Sequence, residues 1–146
     1  RAYVAKIDPA ISGQNGHRVC FRAACKVAEF VGSYMSPEEA LSFMIEYNDV
    51  EERKQALAKM RGIDKKIWVR VGDCDPVHPI ANEDLDRETE DKTSAVHFMR
   101  FELKPDMVKK AKAGAKIAMG IDHPAYQHSL DPIPENIRQS LVNDLA

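Results

Sequence analysis

The sequence predicts an α+β fold, in which an amino-terminal helical hairpin packs with a three- or four-stranded, mainly antiparallel sheet and further helices. Two patterns of apolar residues support this prediction. In several segments they recur every three or four positions, as on the buried face of an amphipathic helix. In others they alternate with different residues, as on one face of a strand, and residues 95–103 show this alternation most clearly.

Composition and charge are those of a globular protein. The 146 residues suffice for one compact domain or two small modules, and the net charge of -2 gives no general attraction to nucleic acid or anionic membranes. The sequence has no run of about 18 apolar residues, so a membrane span is not expected. Its three cysteines, Cys20, Cys25 and Cys74, form no C-x-x-C pair, which favours a reducing cytoplasm over a disulfide framework.

The first third of the chain has the pattern of two helices. From His17, apolar residues recur at three- and four-residue spacing until Gly32. Ser36 then provides a helix cap, Pro37 suits the first helical position, and Glu39 places a carboxylate in the first turn. These two segments form the predicted helical hairpin.

The rest of the chain contains further predicted helices and strands. Asp49 can cap a helix from Val50 to Met60, and Pro105 and Pro134 open two more helices. The predicted strands are 66–71, 95–103 and 116–121, with 77–81 as an additional short one. Together with the helical hairpin, these elements give the predicted α+β unit.

Residues 1–48 contain the run Y-V-A-K-I-D-P-A-I-S-G-Q-N-G-H-R-V-C-F-R-A-A-C, which continues to S-P-E-E-A-L-S-F-M-I-E-Y-N. This run resembles the small helical domain that follows the primase-polymerase core in replication proteins of phages and other mobile elements. After Asn48 the chain departs from that family, which usually continues with a cysteine and a Pro-Pro-Trp motif. The resemblance does not bring polymerase activity, because the catalytic carboxylates of the core are absent. It implies nucleic-acid binding, with Arg18, Arg22 and Lys26 as candidate residues.

Residues 49–146 resemble a second family more closely. The matching segments are, in order, E-E-R-K-Q-A-L, K-I-W-V-R-V-G-D, A-N-E-D-L-D-R-E-T-E-D-K-T-S-A-V-H-F-M-R-F-E-L, A-G-A-K-I-A-M-G-I-D-H-P-A-Y and I-R-Q-S-L-V-N-D-L. They resemble the carboxy-terminal half of the bacterial domain-of-unknown-function family 3501. The resemblance implies no established activity. The genes of this family often lie beside those of rubrerythrin and iron-sulfur oxidoreductase subunits, which implies a redox context.

The two resemblances meet between Asn48 and Asp49. We therefore interpret the chain as a mosaic of a helical segment, residues 1–48, and an α+β segment, residues 49–146. The two segments form either separate units or one shared core.

Histidines near two predicted strands suggest a metal site. The candidate ligands are His97, Asp122, His123 and His128. Such side chains suit zinc or iron, and His97 and His123 would approach each other if strands 95–103 and 116–121 were neighbours. This arrangement would indicate a metal-dependent redox accessory protein. The alternative is a structural histidine, because His97 alternates in phase with Met99 and would then be buried in the core.

An acidic loop, residues 83–91, precedes the strand at 95–103. Its carboxylates are Glu83, Asp84, Asp86, Glu88, Glu90 and Asp91. The loop lacks the ligand positions and central glycine of a calcium loop, so a solvated or salt-bridged loop is the simpler interpretation. Its charge would also suit a basic partner, with an attraction that weakens as salt rises.

The function that the sequence favours is binding rather than catalysis. Residue spacing alone assembles no nucleophile, base and orienting group, and the pattern requires no cofactor. We therefore predict a small, cytoplasmic, non-enzymatic protein of mobile-element origin, which binds another protein as an accessory or inhibitory factor through the acidic loop. The alternatives are a metal-dependent redox accessory protein and a nucleic-acid-binding module of a replication protein.

Overall fold

A computed structural model describes residues 4–7, 18–24, 40–47, 49–83 and 86–145. The described residues form eight strands, three α-helices and one 3-10 helix. The strands are β1 (Val4–Ile7), β2 (Arg18–Ala24), β3 (Ala40–Glu46), β4 (Ile67–Val71), β5 (Ile80–Ala81), β6 (Val96–Arg100), β7 (Ile117–His123) and β8 (Tyr126–Leu130). The helices are α1 (Val50–Lys59), the 3-10 helix (Ile63–Lys66), α2 (Pro105–Lys112) and α3 (Glu135–Asp144).

The α+β class is confirmed, with two sheets in place of the one predicted. The five-stranded sheet has the order β1-β2-β3-β6-β5, and the three-stranded sheet has the order β4-β7-β8. Every pair of neighbouring strands in both sheets is antiparallel. β4 pairs with β7, and its residue Val69 also forms an isolated antiparallel bridge with Val77.

The described part of the predicted helical hairpin is strand. β2 pairs with β3 from Arg18 opposite Glu46 to Ala23 opposite Leu41, so the helices predicted over these residues are wrong. The remainder of the predicted hairpin lies outside the described residues. The physical reason is that short apolar runs fit a central strand as well as a helix, and β3 completes its backbone hydrogen bonds by pairing on both sides.

β3 also joins the two segments proposed from the sequence. It pairs with β6 from Ala40 opposite Arg100 to Met44 opposite Val96. Just beyond this ladder the Ile45 N–H donates to the Ala95 carbonyl at 2.8 Å. Residues 40–46 therefore belong to the same sheet as the strand near the acidic loop.

Most elements after Asn48 were predicted close to their observed bounds. Asp49 caps α1 as expected, because its carboxylate accepts a hydrogen bond from the Glu52 N–H at 2.8 Å. The predictions for β4, β6, β7 and the three helices are confirmed. β8 was not predicted. Among the described residues, no helix has the length and apolar character needed to cross a membrane.

A hydrophobic core is built from both sheets and all three helices. β4 is buried at every second residue, as a strand with one face on a core should be. The fully buried residues of this core include Ile63 and Ile67, which lie where the chain passes from α1 into β4. Gly62 permits this passage with a left-handed φ of 74°, at which a residue with a side chain would be strained. The end of α1 is thereby fixed beside the region described next.

Candidate functional site

A polar cavity of about 680 Å³ lies between the end of α1 and the acidic loop. Two cationic side chains, Arg61 and Lys65, line it. The lining carboxylates are Asp64, Asp86, Glu88 and Glu90, and Ala81, Asn82 and Thr89 complete the wall. Because four carboxylates outnumber two cations, the cavity has a negative lining. Its volume is in the range of sites that hold a small molecule or a few side chains.

Asn82 anchors the chain immediately before the acidic loop. Its backbone has a left-handed φ of 55°, a conformation that asparagine tolerates better than most residues. Its N–H donates to the Phe98 carbonyl at 2.8 Å, and its Oδ1 accepts from the Phe98 N–H at 3.3 Å. Its Nδ2 donates to Asp64 Oδ2 at 3.2 Å and to His97 Nδ1 at 3.0 Å. One side chain thus connects the loop to β6 and to the 3-10 helix.

Glu88 anchors the middle of the acidic loop to the end of α1. Its carboxylate accepts a hydrogen bond from the Gly62 N–H at 2.6 Å and lies 3.9 Å from the Arg61 guanidinium. The neighbouring Arg87 places its guanidinium over the Phe98 ring, 4.6 Å from the centroid. Such a cation–π contact contributes about 0.5–1 kcal/mol at an exposed site and more when desolvated. These contacts hold the loop against α1 and β6.

Thr93 anchors the chain after the acidic loop. It is only 1% exposed, and its N–H donates to the Leu57 carbonyl of α1 at 3.1 Å. The next residue, Ser94, donates its N–H to the Arg87 carbonyl at 2.8 Å. The acidic loop is therefore fixed before, within and after its charged segment.

His97 lies beneath these anchors and is fully buried. Its Nε2 is 2.9 Å from the Ser94 carbonyl and 3.1 Å from Thr93 Oγ1, while its Nδ1 faces Asn82 Nδ2. Burial lowers the pKa of His97 below its ordinary value, and the negative charge of Asp64 acts in the opposite direction. The predicted alternative of a structural histidine agrees with this burial.

The structure divides the predicted acidic set into anchored and outward-facing carboxylates. Glu83 pairs with Arg100 at 2.9 Å, and Glu88 is bound as described above. Asp86, Glu90 and Asp91 are exposed. Asp84 lies outside the described residues.

The predicted metal ligands do not converge. His97 belongs to β6 and His123 to β7, which lie in different sheets, so the condition under which these two histidines would approach each other is not met. The Nε2 of His123 donates to the Arg61 carbonyl at 2.7 Å, and its Nδ1 accepts from the Ala125 N–H at 3.0 Å. In the part of the chain that the structure describes, no three His, Cys, Asp or Glu side chains are grouped to hold a metal.

Asp122 and His128 are exposed, on β7 and β8 respectively. The metal hypothesis remains a prediction with a direct test. It requires that zinc or iron, measured by elemental analysis of untagged protein, is stoichiometric and is lost in both His97→Ala and His123→Ala variants.

The predicted nucleic-acid residues lie on or beyond β2. Arg18 stands opposite Glu46 and Arg22 opposite Ser42 in the β2–β3 ladder, and Lys26 is outside the described residues. Over residues 18–24 the predicted helix is replaced by strand. Nucleic-acid binding by these residues stays a prediction.

Asn82, Asp64 and Thr93 were missed by the sequence analysis. Asn82 carried a usable signal, because asparagine directly after a short strand and before a charged loop is typical of a left-handed turn. Asp64 and Thr93 carried none, since their roles depend on residues that are distant in sequence.

The fold and the cavity together define a small α+β protein with a charged, side-chain-anchored loop beside α1. The chain belongs to the DUF3501 family of proteins of unknown function, whose model matches residues 35–145. This confirms the resemblance stated for residues 49–146 and extends it into the segment assigned to replication proteins. The replication-protein resemblance of the preceding residues and the mosaic interpretation stay predictions.

The fold is shared with a protein of known structure. That structure is the crystal structure of a protein of unknown function from Burkholderia pseudomallei K96243, with 44% sequence identity and a TM-score of 0.68. The match covers 75% of this chain and 56% of that one, so the present chain spans little more than half of its relative's length. No curated protein matches the chain.

Proposed function

We propose that this protein is a non-enzymatic accessory or inhibitory factor, which binds a basic segment of another protein along the acidic loop and in the adjoining cavity. The observation that supports this proposal is the contrast within the loop. Its anchors are bound to α1 and β6, whereas Asp86, Glu90 and Asp91 remain exposed.

Charge selects the class of partner. Two of the cavity's four carboxylates, Asp86 and Glu90, belong to the exposed set, and Asp91 adds a third charge on the same loop. Lysine and arginine side chains complement this surface, and the attraction would steer a basic segment over roughly one Debye length, about 8 Å at physiological ionic strength. Binding should therefore weaken as salt rises.

Fixing the loop in advance favours binding. Ordering a flexible backbone costs roughly 1–2 kcal/mol per residue, and a partner that binds a loop already held by Asn82, Glu88 and Thr93 avoids part of this cost. The anchors hold the backbone near Asp86, Glu90 and Asp91, the three exposed carboxylates that would meet the partner.

The test is a triple charge reversal with a matched control. Asp86→Lys, Glu90→Lys and Asp91→Lys are combined in one variant, and exposed carboxylates elsewhere are reversed in the control. The control substitutions are Asp75→Lys, Asp106→Lys and Asp122→Lys. Both variants change the net charge equally, so only the position of the charge differs.

Binding is measured by calorimetry with lysine- and arginine-rich peptides at about 20 and about 300 mM salt. Three lost surface ion pairs at about 0.5 kcal/mol each should weaken binding by about tenfold in the loop variant. The control should retain the affinity within about twofold. Equal losses in both variants, or no binding by the wild type at low salt, would refute the proposal.

A further inference from the structure

We propose that Asn82 and His97 form a proton-sensitive latch at the start of the acidic loop: neutral His97 keeps the latch closed and protonated His97 opens it. The latch would regulate the binding site proposed above, and only that consequence rests on the proposed function. The structural part of the inference stands on the hydrogen bonds around the two side chains.

The partners of His97 determine which ring nitrogen carries the proton. The Ser94 carbonyl at 2.9 Å only accepts hydrogen bonds, so Nε2 must carry the hydrogen. Asn82 Nδ2, 3.0 Å from Nδ1, only donates, so Nδ1 must offer its lone pair. The imidazole is therefore neutral, with its hydrogen on Nε2.

The orientation of the Asn82 amide is fixed independently of His97. Its oxygen faces the Phe98 N–H at 3.3 Å, and a backbone N–H can only donate. Its nitrogen faces a carboxylate oxygen of Asp64 at 3.2 Å, which accepts. Both contacts require the same orientation as the contact with His97.

A proton on Nδ1 is incompatible with this arrangement. The Nδ1–H would then face the Asn82 amide nitrogen at 3.0 Å, donor against donor. If the Asn82 amide turned over to accept from Nδ1–H, its oxygen would face Asp64 and its nitrogen would face the Phe98 N–H. Either way at least one of the amide's contacts becomes repulsive, so protonation disfavours the bound position of Asn82.

The charged groups around His97 come from two other elements. Asp64, on the 3-10 helix, and Glu88, in the acidic loop, favour the protonated ring, whereas Arg87 opposes it. Burial outweighs the two carboxylates, and the pKa of His97 is lowered. On its other side β6 pairs with β3, and His97 stands opposite Phe43 in that ladder.

Linkage gives the sign of the pH effect. An unfolded or opened state binds the proton with ordinary affinity, near pH 6.5, while the closed state binds it more weakly. The closed loop is therefore stable above about pH 6.5 and loses stability as the pH falls through the lowered pKa of His97. Between about pH 6.5 and the lowered pKa of His97, a single linked proton raises the equilibrium constant for opening about tenfold for each unit by which the pH falls.

Hydrogen exchange by NMR tests the latch in the whole chain. After correction for intrinsic exchange, the opening of the Asn82 and Thr93 amides should rise about tenfold per pH unit below about pH 6.5. The Ile121 amide in β7 serves as the internal reference and should show no such slope. Equal slopes at Asn82 and Ile121 would overturn the latch.

Two variants sharpen the test, and His128→Gln, at an exposed histidine on β8, is their control. Asn82→Asp replaces the donor with an acceptor, so the His97 ring should titrate at a higher pH and the slope at Thr93 should fall or reverse. The glutamine of His97→Gln cannot titrate, so the pH dependence of amide opening at Asn82 and Thr93 should vanish. A slope retained in His97→Gln, or no upward shift of the ring titration in Asn82→Asp, would refute the inference.

The same samples separate the latch from the proposed function. Binding of an oligolysine peptide is measured at about pH 7.5 and about pH 5. If the loop opens at low pH and the peptide never binds, the latch stands and the proposed function fails. If the peptide binds equally at both pH values while the loop stays closed, the latch fails and the proposed function stands.

Discussion

Replacing Gly120 with alanine should destabilise the protein because of a single close contact. Gly120 of β7 is paired with Trp68 of β4, and the indole lies directly over it. A Cβ at position 120 would stand 2.3 Å from Cζ2, 2.5 Å from Cε2 and 2.9 Å from Nε1 of Trp68. Contacts this short force the ring to move.

Moving the rigid Trp68 ring away from a Cβ at position 120 should be energetically costly. The contacts involve the fused ring system itself, and Arg70 places its guanidinium over the same ring, 5.7 Å from the centroid. Overpacking of this kind typically costs about 1–3 kcal/mol. For a chain of this length, the corresponding fall in melting temperature is roughly 3–9 °C.

A double-mutant cycle isolates the contact. Trp68 is the single tryptophan, so its fluorescence follows urea unfolding of the wild type and of Gly120→Ala. In a Trp68→Ala background, followed by circular dichroism, Gly120→Ala should be neutral or stabilising by up to about 1 kcal/mol, because glycine is unfavourable within a strand. An equal loss of stability in both backgrounds would refute the argument.

Three further predictions concern hydrogen bonds and ion pairs. Asn82→Ala should lower the free energy of unfolding by about 2–3 kcal/mol through lost hydrogen bonds and left-handed strain; a loss below about 0.5 kcal/mol in urea would show that the side chain holds nothing. His123→Ala should cost about 1–3 kcal/mol by removing the hydrogen bonds to the partly buried Arg61 carbonyl and Ala125 N–H, with exposed His128→Ala within about 0.5 kcal/mol as its control. The Lys110 ammonium, 2.8 Å from Asp73, lowers the pKa of that carboxyl; Lys110→Met should raise it in an NMR titration, and an unchanged value would contradict the assignment.

Elements defined by local signals were predictable from the sequence. α1 follows an N-cap at Asp49, α2 begins with Pro105, and β6 shows an alternation that its burial reproduces. Each signal lies within the element or next to it, so no knowledge of distant residues was needed. The α+β class followed from these elements.

Elements that depend on distant pairing were not predictable in the same way. The apolar residues of β3 fit one face of a helix, and its identity as a strand is decided by β2 and β6 on either side. β8 did carry a local signal, because Tyr126, His128 and Leu130 alternate after a two-residue connection from His123. That signal was hidden by Pro124, which suggested an end to regular structure.

The site was only half predictable, for a related reason. The acidic loop could be identified from its composition, while its anchoring required the positions of Asp64, Gly62 and Leu57 in the folded chain. A carboxylate's sequence neighbours do not show whether it faces solvent or a backbone N–H. Glu88 and Glu90 are two residues apart, yet the first is bound to Gly62 and the second is exposed.

The shortness of β5 explains why side-chain anchors matter so much here. The strands that flank the acidic loop pair at Ile80 opposite Arg100 and at Ala81 opposite Met99, and one further backbone hydrogen bond runs from the Asn82 N–H to the Phe98 carbonyl. Each backbone hydrogen bond contributes about 1 kcal/mol net. A ladder this short therefore offsets little of the entropy that is lost when a long polar loop is closed. The bonds made by Asn82 and Glu88 must supply the rest. Because the Asn82 bonds include one to the titratable His97, a loop stabilised in this way responds to pH, whereas one held by a longer ladder would not.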